Sequence, residues 1–159
     1  MKKVNRDASR DTVLLPTPFG AALRVTAYGD VLVAAEFVRS RARPGIPRAG
    51  VLREAAEQAR AYFGRKLRRF DVPMDLEGTA LAVDVWRTVA GLAFGDVVSY
   101  ADIARAIGRP LAHRGVAMAM RKTPIDLFIP AHRVVGSDRR PRGCSPRSLR
   151  ARLLRFEQV

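Results

Sequence analysis

The chain has little cysteine, histidine or lysine. Among 159 residues there is one cysteine and there are two histidines. A single thiol excludes an internal disulfide and a paired-cysteine metal site. No apolar run approaches the roughly 20 residues of a membrane-spanning helix. The basic start Met1-Lys2-Lys3-Val4-Asn5-Arg6 lacks the apolar segment of a secretory signal. These absences leave a cytoplasmic protein as the expectation. Negative charge is scarce as well, with 15 acidic residues against 29 basic ones and a formal net charge of +14. The isoelectric point is near 11.4. A GC-rich genome accounts in part for Arg over Lys but not for the sign. Such a balance points to a polyanionic partner, because neutralised phosphates release counterions and drive association. Seven arginines lie between Arg139 and Arg155 with no acid among them.

What is present reads as two parts. Residues 12–15, 21–28 and 31–38 have strand composition, with turns at Thr17-Pro18-Phe19-Gly20 and Gly29-Asp30. Residues 51–67 read as a helix with Leu52, Ala55, Ala56, Ala59 and Phe63 on its inner side. Phe70-Asp71-Val72 reads as a short returning strand, and 73–78 as a junction. The expected fold is therefore an α/β N-terminal domain over 1–75, a small antiparallel sheet plus a helix. A mainly α C-terminal domain with a helix-turn-helix follows over 76–159.

The second half carries helical signals throughout. Leu81, Val85, Val89 and Leu92 keep helical spacing beside Trp86, with Gly95 as the stop. Ser99 followed by Asp102 predicts a capping box, and Gly108 ends that helix. Pro110 suits the first turn of the next helix, whose stripe is Ala112, Val116 and Met120. A last helix is predicted from about Ser145-Pro146, with Leu149, Leu153 and Phe156 inward.

Ile129-Pro130-Ala131-His132-Arg133-Val134-Val135 looks like a reaction site without its reactive atom. A His beside a Cys makes a thiolate, the attacking form of sulfur. Here a methyl group precedes the His. The run resembles the Pro-Cys-His-Arg-Val signature of the O6-alkylguanine-DNA alkyltransferases. Val85-Trp86-Arg87, Phe94-Gly95, Val98-Ser99-Tyr100 and Ala112-His113-Arg114-Gly115-Val116 match that family in the same order and spacing. The acceptor position is Ala131, so the chain resembles the alkyltransferase-like proteins that lack the acceptor cysteine.

The resemblance implies binding to double-stranded, preferably alkylated DNA, with extrusion of the modified base into a pocket. Chemistry on a stacked base requires that extrusion. It implies a recognition helix in the minor groove, with Ala112, Gly115 and Ala117 small enough for close approach and Arg114 filling the vacated stack. His113 replaces a usually small residue. Tyr100, Arg114, Thr123, Ala131 and Cys144 are the implied base-binding positions. Ala112, His113, Arg114, Gly115, Arg121, Arg139, Arg140 and Arg142 are the implied DNA contacts. His132 and Glu157 are the implied remnants of an acid–base relay, and Arg133 is expected to bond backbone carbonyls between the domains. No cofactor or metal is expected, and the protein is expected to act as a monomer, with nucleotide excision repair proteins as partners.

Three departures from the family accompany Ala131. Thr123 replaces an Asn, Cys144 replaces a Tyr, and the glycines usually found beyond that Tyr are missing. Divergence at several positions fits a natural lesion reader better than a single engineered substitution. Ala131 leaves more room than Cys and would admit larger adducts. Two alternatives stay open: a true methyltransferase with Cys144 as relocated acceptor, and a basic DNA-binding module with a decayed pocket. On any nucleic-acid reading, raising salt from about 50 to 200 mM should weaken duplex binding by orders of magnitude when several phosphates are contacted. Fluorescence anisotropy across that range measures it, and an affinity indifferent to salt would remove the reading.

Overall fold

The computed structural model describes residues 7–47, 50–140 and 147–159. The chain divides into two compact units. One runs to Leu76 and takes in Pro124–Phe128; the other is Glu77–Thr123 with Ile129–Val159.

In the first unit, β1 (Arg10–Pro16), β2 (Ala22–Tyr28) and β3 (Val31–Val38) form an antiparallel meander in the order β1-β2-β3. Gly20 and Gly29, at φ 74° and 55°, make the two connections, where left-handed backbone suits glycine. The register sets Leu15 opposite Leu23 and Val25 opposite Ala35, all buried. Helix α1 (Gly50–Phe63) packs on this sheet and buries Val51, Ala55, Ala59 and Tyr62. The buried stripe thus sits slightly to one side of the expected one, with Leu52, Ala56 and Phe63 half-buried at its margin.

Helix α1 stops four residues before the expected Leu67. Arg65 turns left-handed at φ 59°, its N–H bonds Tyr62 O at 2.9 Å, and Lys66 N–H bonds Ala61 O at 2.8 Å. That pair of bonds is the Schellman arrangement, which closes a helix by satisfying its last carbonyls. No strand forms at Phe70-Asp71-Val72. Pro73 O instead accepts from Leu32 N at 2.9 Å and Asp75 N donates to Leu32 O at 2.9 Å, so pairing centres on Met74. Pro124–Phe128, which the sequence reading placed with the second half, also runs along β3. Ala35 N donates to Pro124 O at 3.1 Å and Asp126 N to Ala35 O at 2.9 Å. The two segments cover the otherwise open edge of β3. Phe128 then meets Phe70 edge-on, and Phe70 lies tilted against Tyr62, with centroids 5.1 and 5.3 Å apart.

The second unit contains α2 (Ala80–Ala90), β4 (Val98–Ser99), α3 (Tyr100–Ala106), α4 (His113–Arg121), a single 3₁₀ turn (Ala131–Arg133), β5 (Val134–Val135) and α5 (Leu149–Gln158). Thr79 caps α2 by accepting from Ala82 N at 3.2 Å. The helix closes at Gly91 rather than Gly95, which instead makes a left-handed turn at φ 88°. The capping box of α3 is present in both directions between Ser99 and Asp102. Pro110 lies before α4, not in its first turn, because Ala112 N bonds Arg109 O at 2.9 Å and closes a reverse turn there. A parallel pair, β4 with β5, was not expected; two residues per strand are too few to leave a periodic signal. Ser148 caps α5; the expected start at Ser145-Pro146 lies outside the described residues. No helix among the described residues is long and apolar enough to cross a membrane.

Helices α2 and α4 are locked together by Trp86, whose indole N–H donates to Ala119 O at 2.9 Å in the buried interior. Gly78 packs flat against that ring. A Cβ there would lie 2.8 Å from Cζ3 and 3.0 Å from Cη2 of Trp86. The ring cannot retreat without losing its hydrogen bond. Gly78→Ala is therefore expected to cost about 1–3 kcal/mol through overpacking. Urea denaturation reads this directly, and an unchanged midpoint would show that the ring has room to move.

Candidate functional site

The site is built where the 3₁₀ turn meets α5 and the loop after α2. Glu157 projects from the last turn of α5 with a fully buried side chain. His132 Nε2 lies 2.6 Å from Glu157 Oε1. Arg133 Nε donates to both carboxylate oxygens at 3.1 and 3.0 Å, and Nη2 donates to Oε1 at 2.8 Å. Gly95 N–H adds a fourth donor group, 3.1 Å from Oε2. The remaining end of the guanidinium reaches Leu92 O at 2.7 Å. His132 and Arg133 are each 1% exposed. Phe94 and Phe156 meet edge-on beside this network, 6.0 Å between centroids.

Protonation follows from these surroundings. Burial pushes His132 below its ordinary value of 6.5, the Glu157 carboxylate pulls it back in part, and the Arg133 and Arg150 charges push it further down. Burial alone would raise Glu157, but the hydrogen bonds from His132 and Arg133 outweigh it and hold the carboxyl far below 4.5. An ionised carboxylate only accepts, so His132 carries its proton on Nε2 and leaves Nδ1 as a base. The buried charges are then one Arg⁺ and one carboxylate, which cancel.

Ala131 opens the 3₁₀ turn and is 4% exposed. Next in sequence to His132, it offers a methyl group, with no proton to remove and no lone pair to attack. Val134 and Val135 follow, pairing with Val98 and Ser99. That pairing brings the end of β5 next to the start of α3, at the head of a groove of about 670 Å³. Its lining includes Tyr100 from α3, Gly136 and Ser137 after β5, and His113, Arg114, Ala117, Met118 and Arg121 from α4.

Of the residues singled out from sequence, Tyr100, His113, Arg114 and Arg121 therefore share one groove. Ala131 and Thr123 are not among its lining residues. Thr123 is half-buried and donates to Met120 O at 2.9 Å, finishing α4. Ala112 precedes α4 as a half-buried cap position and supplies no side-chain cap. Gly115 faces inward: a Cβ there would lie 2.6 Å from Leu81 Cδ2, so its smallness serves the contact with α2. Arg139 and Arg140 are exposed on the tight turn after β5, closed by Gly136 N to Arg140 O at 2.9 Å. Cys144 and Arg142 lie outside the described residues. Arg133 bonds Leu92 O within the second unit, not a carbonyl between domains. Met118 and the backbone partners of Glu157 escaped the sequence reading. A methionine two residues before Met120, and so about 200° round the helix from the Val116/Met120 stripe, was the available signal for the first; backbone groups leave none for the second.

Residues 80–159 match the family model described as 6-O-methylguanine DNA methyltransferase, DNA binding domain. A methylated-DNA–protein-cysteine methyltransferase from Methanosarcina barkeri is 36% identical over 129 residues, covering 77% of this chain and 82% of its own. The chain belongs to this methyltransferase family. Within it, the crystal structure of Mycobacterium tuberculosis O6-methylguanine methyltransferase superposes at a TM-score of 0.81 with 29% identity, covering 94% of this chain and 93% of that one. The Mycobacterium tuberculosis protein in complex with DNA gives 0.76 with 31% identity over 91% of each chain. Family membership makes the chain a relative of DNA-repair proteins whose name specifies a cysteine acceptor, while its own Ala131 carries none.

The network gives this family member a defined acid response. His132 is neutral in the fold and takes up a proton on unfolding below about pH 6.5. The unfolded state then binds more protons, so stability falls as pH drops below that value, by at most about 1.4 kcal/mol per pH unit from this one group. Below pH 4.5 Glu157 adds loss of the same sign, since its carboxylate is stabilised only when folded. Denaturation midpoints between about pH 5 and 7 should show the slope, and His132→Gln, with no titrating group, should flatten it. Glu157→Gln should cost about 3–5 kcal/mol at neutral pH by leaving the Arg133 charge buried and uncompensated.

Proposed function

We propose that the protein binds duplex DNA through the outer face of α4, takes an O6-alkylated guanine out of the stack, and holds it beside Ala131 without transferring the alkyl group. The observation that supports this reading is the fully bonded Glu157–His132–Arg133 network in the turn that carries Ala131. In this reading His132 is the retained base and the nucleophile is missing. A decayed pocket would be expected to lose the costly buried ion pair along with the thiol; here every donor and acceptor of the pair is matched.

The DNA contacts in this reading are Ala112 just before α4, His113, Arg114 and Arg121 on it, and Arg139 and Arg140 on the turn after β5. The first turn of α4 has no side-chain cap, which leaves its N–H groups suited to a phosphate. Arg114 occupies the vacated place in the stack, while Tyr100 and Thr123 bound the extruded base. The product of such binding is a marked lesion, which a nucleotide excision repair system then removes.

Intact-protein mass spectrometry after incubation with O6-methylguanine duplex tests the absence of transfer. The expected result is no methyl adduct, together with tighter binding to the modified than to the unmodified duplex. A stoichiometric methyl group lost in Cys144→Ser would instead make the protein a methyltransferase with a relocated acceptor. Ala131→Cys should restore only slow transfer. In this reading His132 activates the new thiol, but Thr123 and Cys144 replace groups that align the base, and alignment contributes several kcal/mol to such a step. Transfer as fast as in the cysteine-bearing relatives would show those two replacements to be neutral.

A further inference from the structure

We infer that Met118 is an apolar wedge that enters a base step of the DNA one helical turn from Arg114. The inference rests on the DNA-binding reading above and adds a second residue to the distortion of the duplex. Met118 is 55% exposed, one of four large apolar side chains so exposed among the described residues. The core side of α4 is already supplied by Val116, Ala119 and Met120, all at most 5% exposed. Met118 precedes Met120 by two residues, or about 200° of helical rotation, and so points away from the core. It lies instead on the face that carries Arg114 four residues before it and Arg121 three residues after it. All three line the groove with Tyr100.

An exposed thioether between two arginines gives no benefit to a face meant only for water. It has a use against DNA. Apolar side chains, methionine among them, unstack base steps from the minor groove and kink the duplex. Methionine suits such a role because its unbranched, polarisable chain adapts to an irregular surface. Arg114 and Met118 are about 6 Å apart along the helix axis, against 3.4 Å per stacked step. That separation exceeds one stacked step, which leaves room for the wedge to act at a step other than the one that Arg114 fills. Ala117, also in the groove, leaves room for the backbone to approach. Gly115 does not, since its open side is occupied by Leu81.

The two residues have separable signatures. A wedge touches no phosphate, so it changes distortion without changing counterion release. An arginine that neutralises a phosphate changes the salt slope by about 0.9. The test uses the full-length protein and a duplex carrying O6-methylguanine, with the fluorescent base aminopurine one and two steps away. Met118→Ala and Met118→Gln should lose most of the unstacking fluorescence and about tenfold in affinity, with the salt slope and the thermal midpoint unchanged. Met118→Leu, which keeps apolar bulk, should retain both. Equal fluorescence in wild type and Met118→Ala overturns the wedge while leaving DNA binding intact. A shift from dimer to monomer on Met118→Ala, without change in fluorescence, also overturns it and makes this face a contact between copies. If the wild type binds no duplex at all, the DNA reading fails first and the wedge with it.

Discussion

Four donor groups converge on the Glu157 carboxylate: the His132 ring, two nitrogens of the Arg133 guanidinium and the Gly95 amide. They come from the turn that carries Ala131 and from the loop after α2, while the acceptor comes from the last turn of α5. One buried carboxylate thus fixes three separate stretches of chain in register. Removing two ions from water is costly unless the remaining donors and acceptors are matched. Here the guanidinium also reaches Leu92 O, and no described buried side-chain nitrogen or oxygen is left without a partner. Burial keeps His132 neutral, and the bond to Glu157 fixes which of its nitrogens is basic.

The network also has a role that needs no thiol. It ties α5 to the turn that carries Ala131, and under the proposed function it also holds the base of the site. A methyl group at position 131 leaves that tie intact. Losing Glu157 or Arg133 would remove both roles.

The sequence made the repeated, local features legible. Three strands separated by Gly-containing turns, the Ser99–Asp102 capping box and the Val116/Met120 stripe all leave patterns within a few residues. Features decided by long-range pairing were hidden. Pro124–Phe128 lies along β3 because Ala35 offers it an open N–H and C=O, and neither group has a sequence signature. In sequence Gly95 resembles a helix stop, but Gly91 closes the helix and Gly95 lends its amide to Glu157. Gly115 resembles a residue kept small for DNA, but its open side faces Leu81. At the site, His132 and Glu157 were found through family resemblance. Met118 was overlooked because an apolar residue on a helix is read by default as core.

The return of residues 124–128 to the first unit means that the chain passes between units three times: after Leu76, after Thr123 and after Phe128. Ile125, Leu127 and Phe128 are at most 2% exposed. Neither unit is therefore one continuous stretch of polypeptide. Melting the sheet would strip the cover from three large apolar residues that belong, by sequence, to the neighbourhood of Ala131. The two units are joined by three crossings of the chain, as two cloths are by a running stitch. A shorter relative without the first unit would need polar replacements in this five-residue segment to stay in solution.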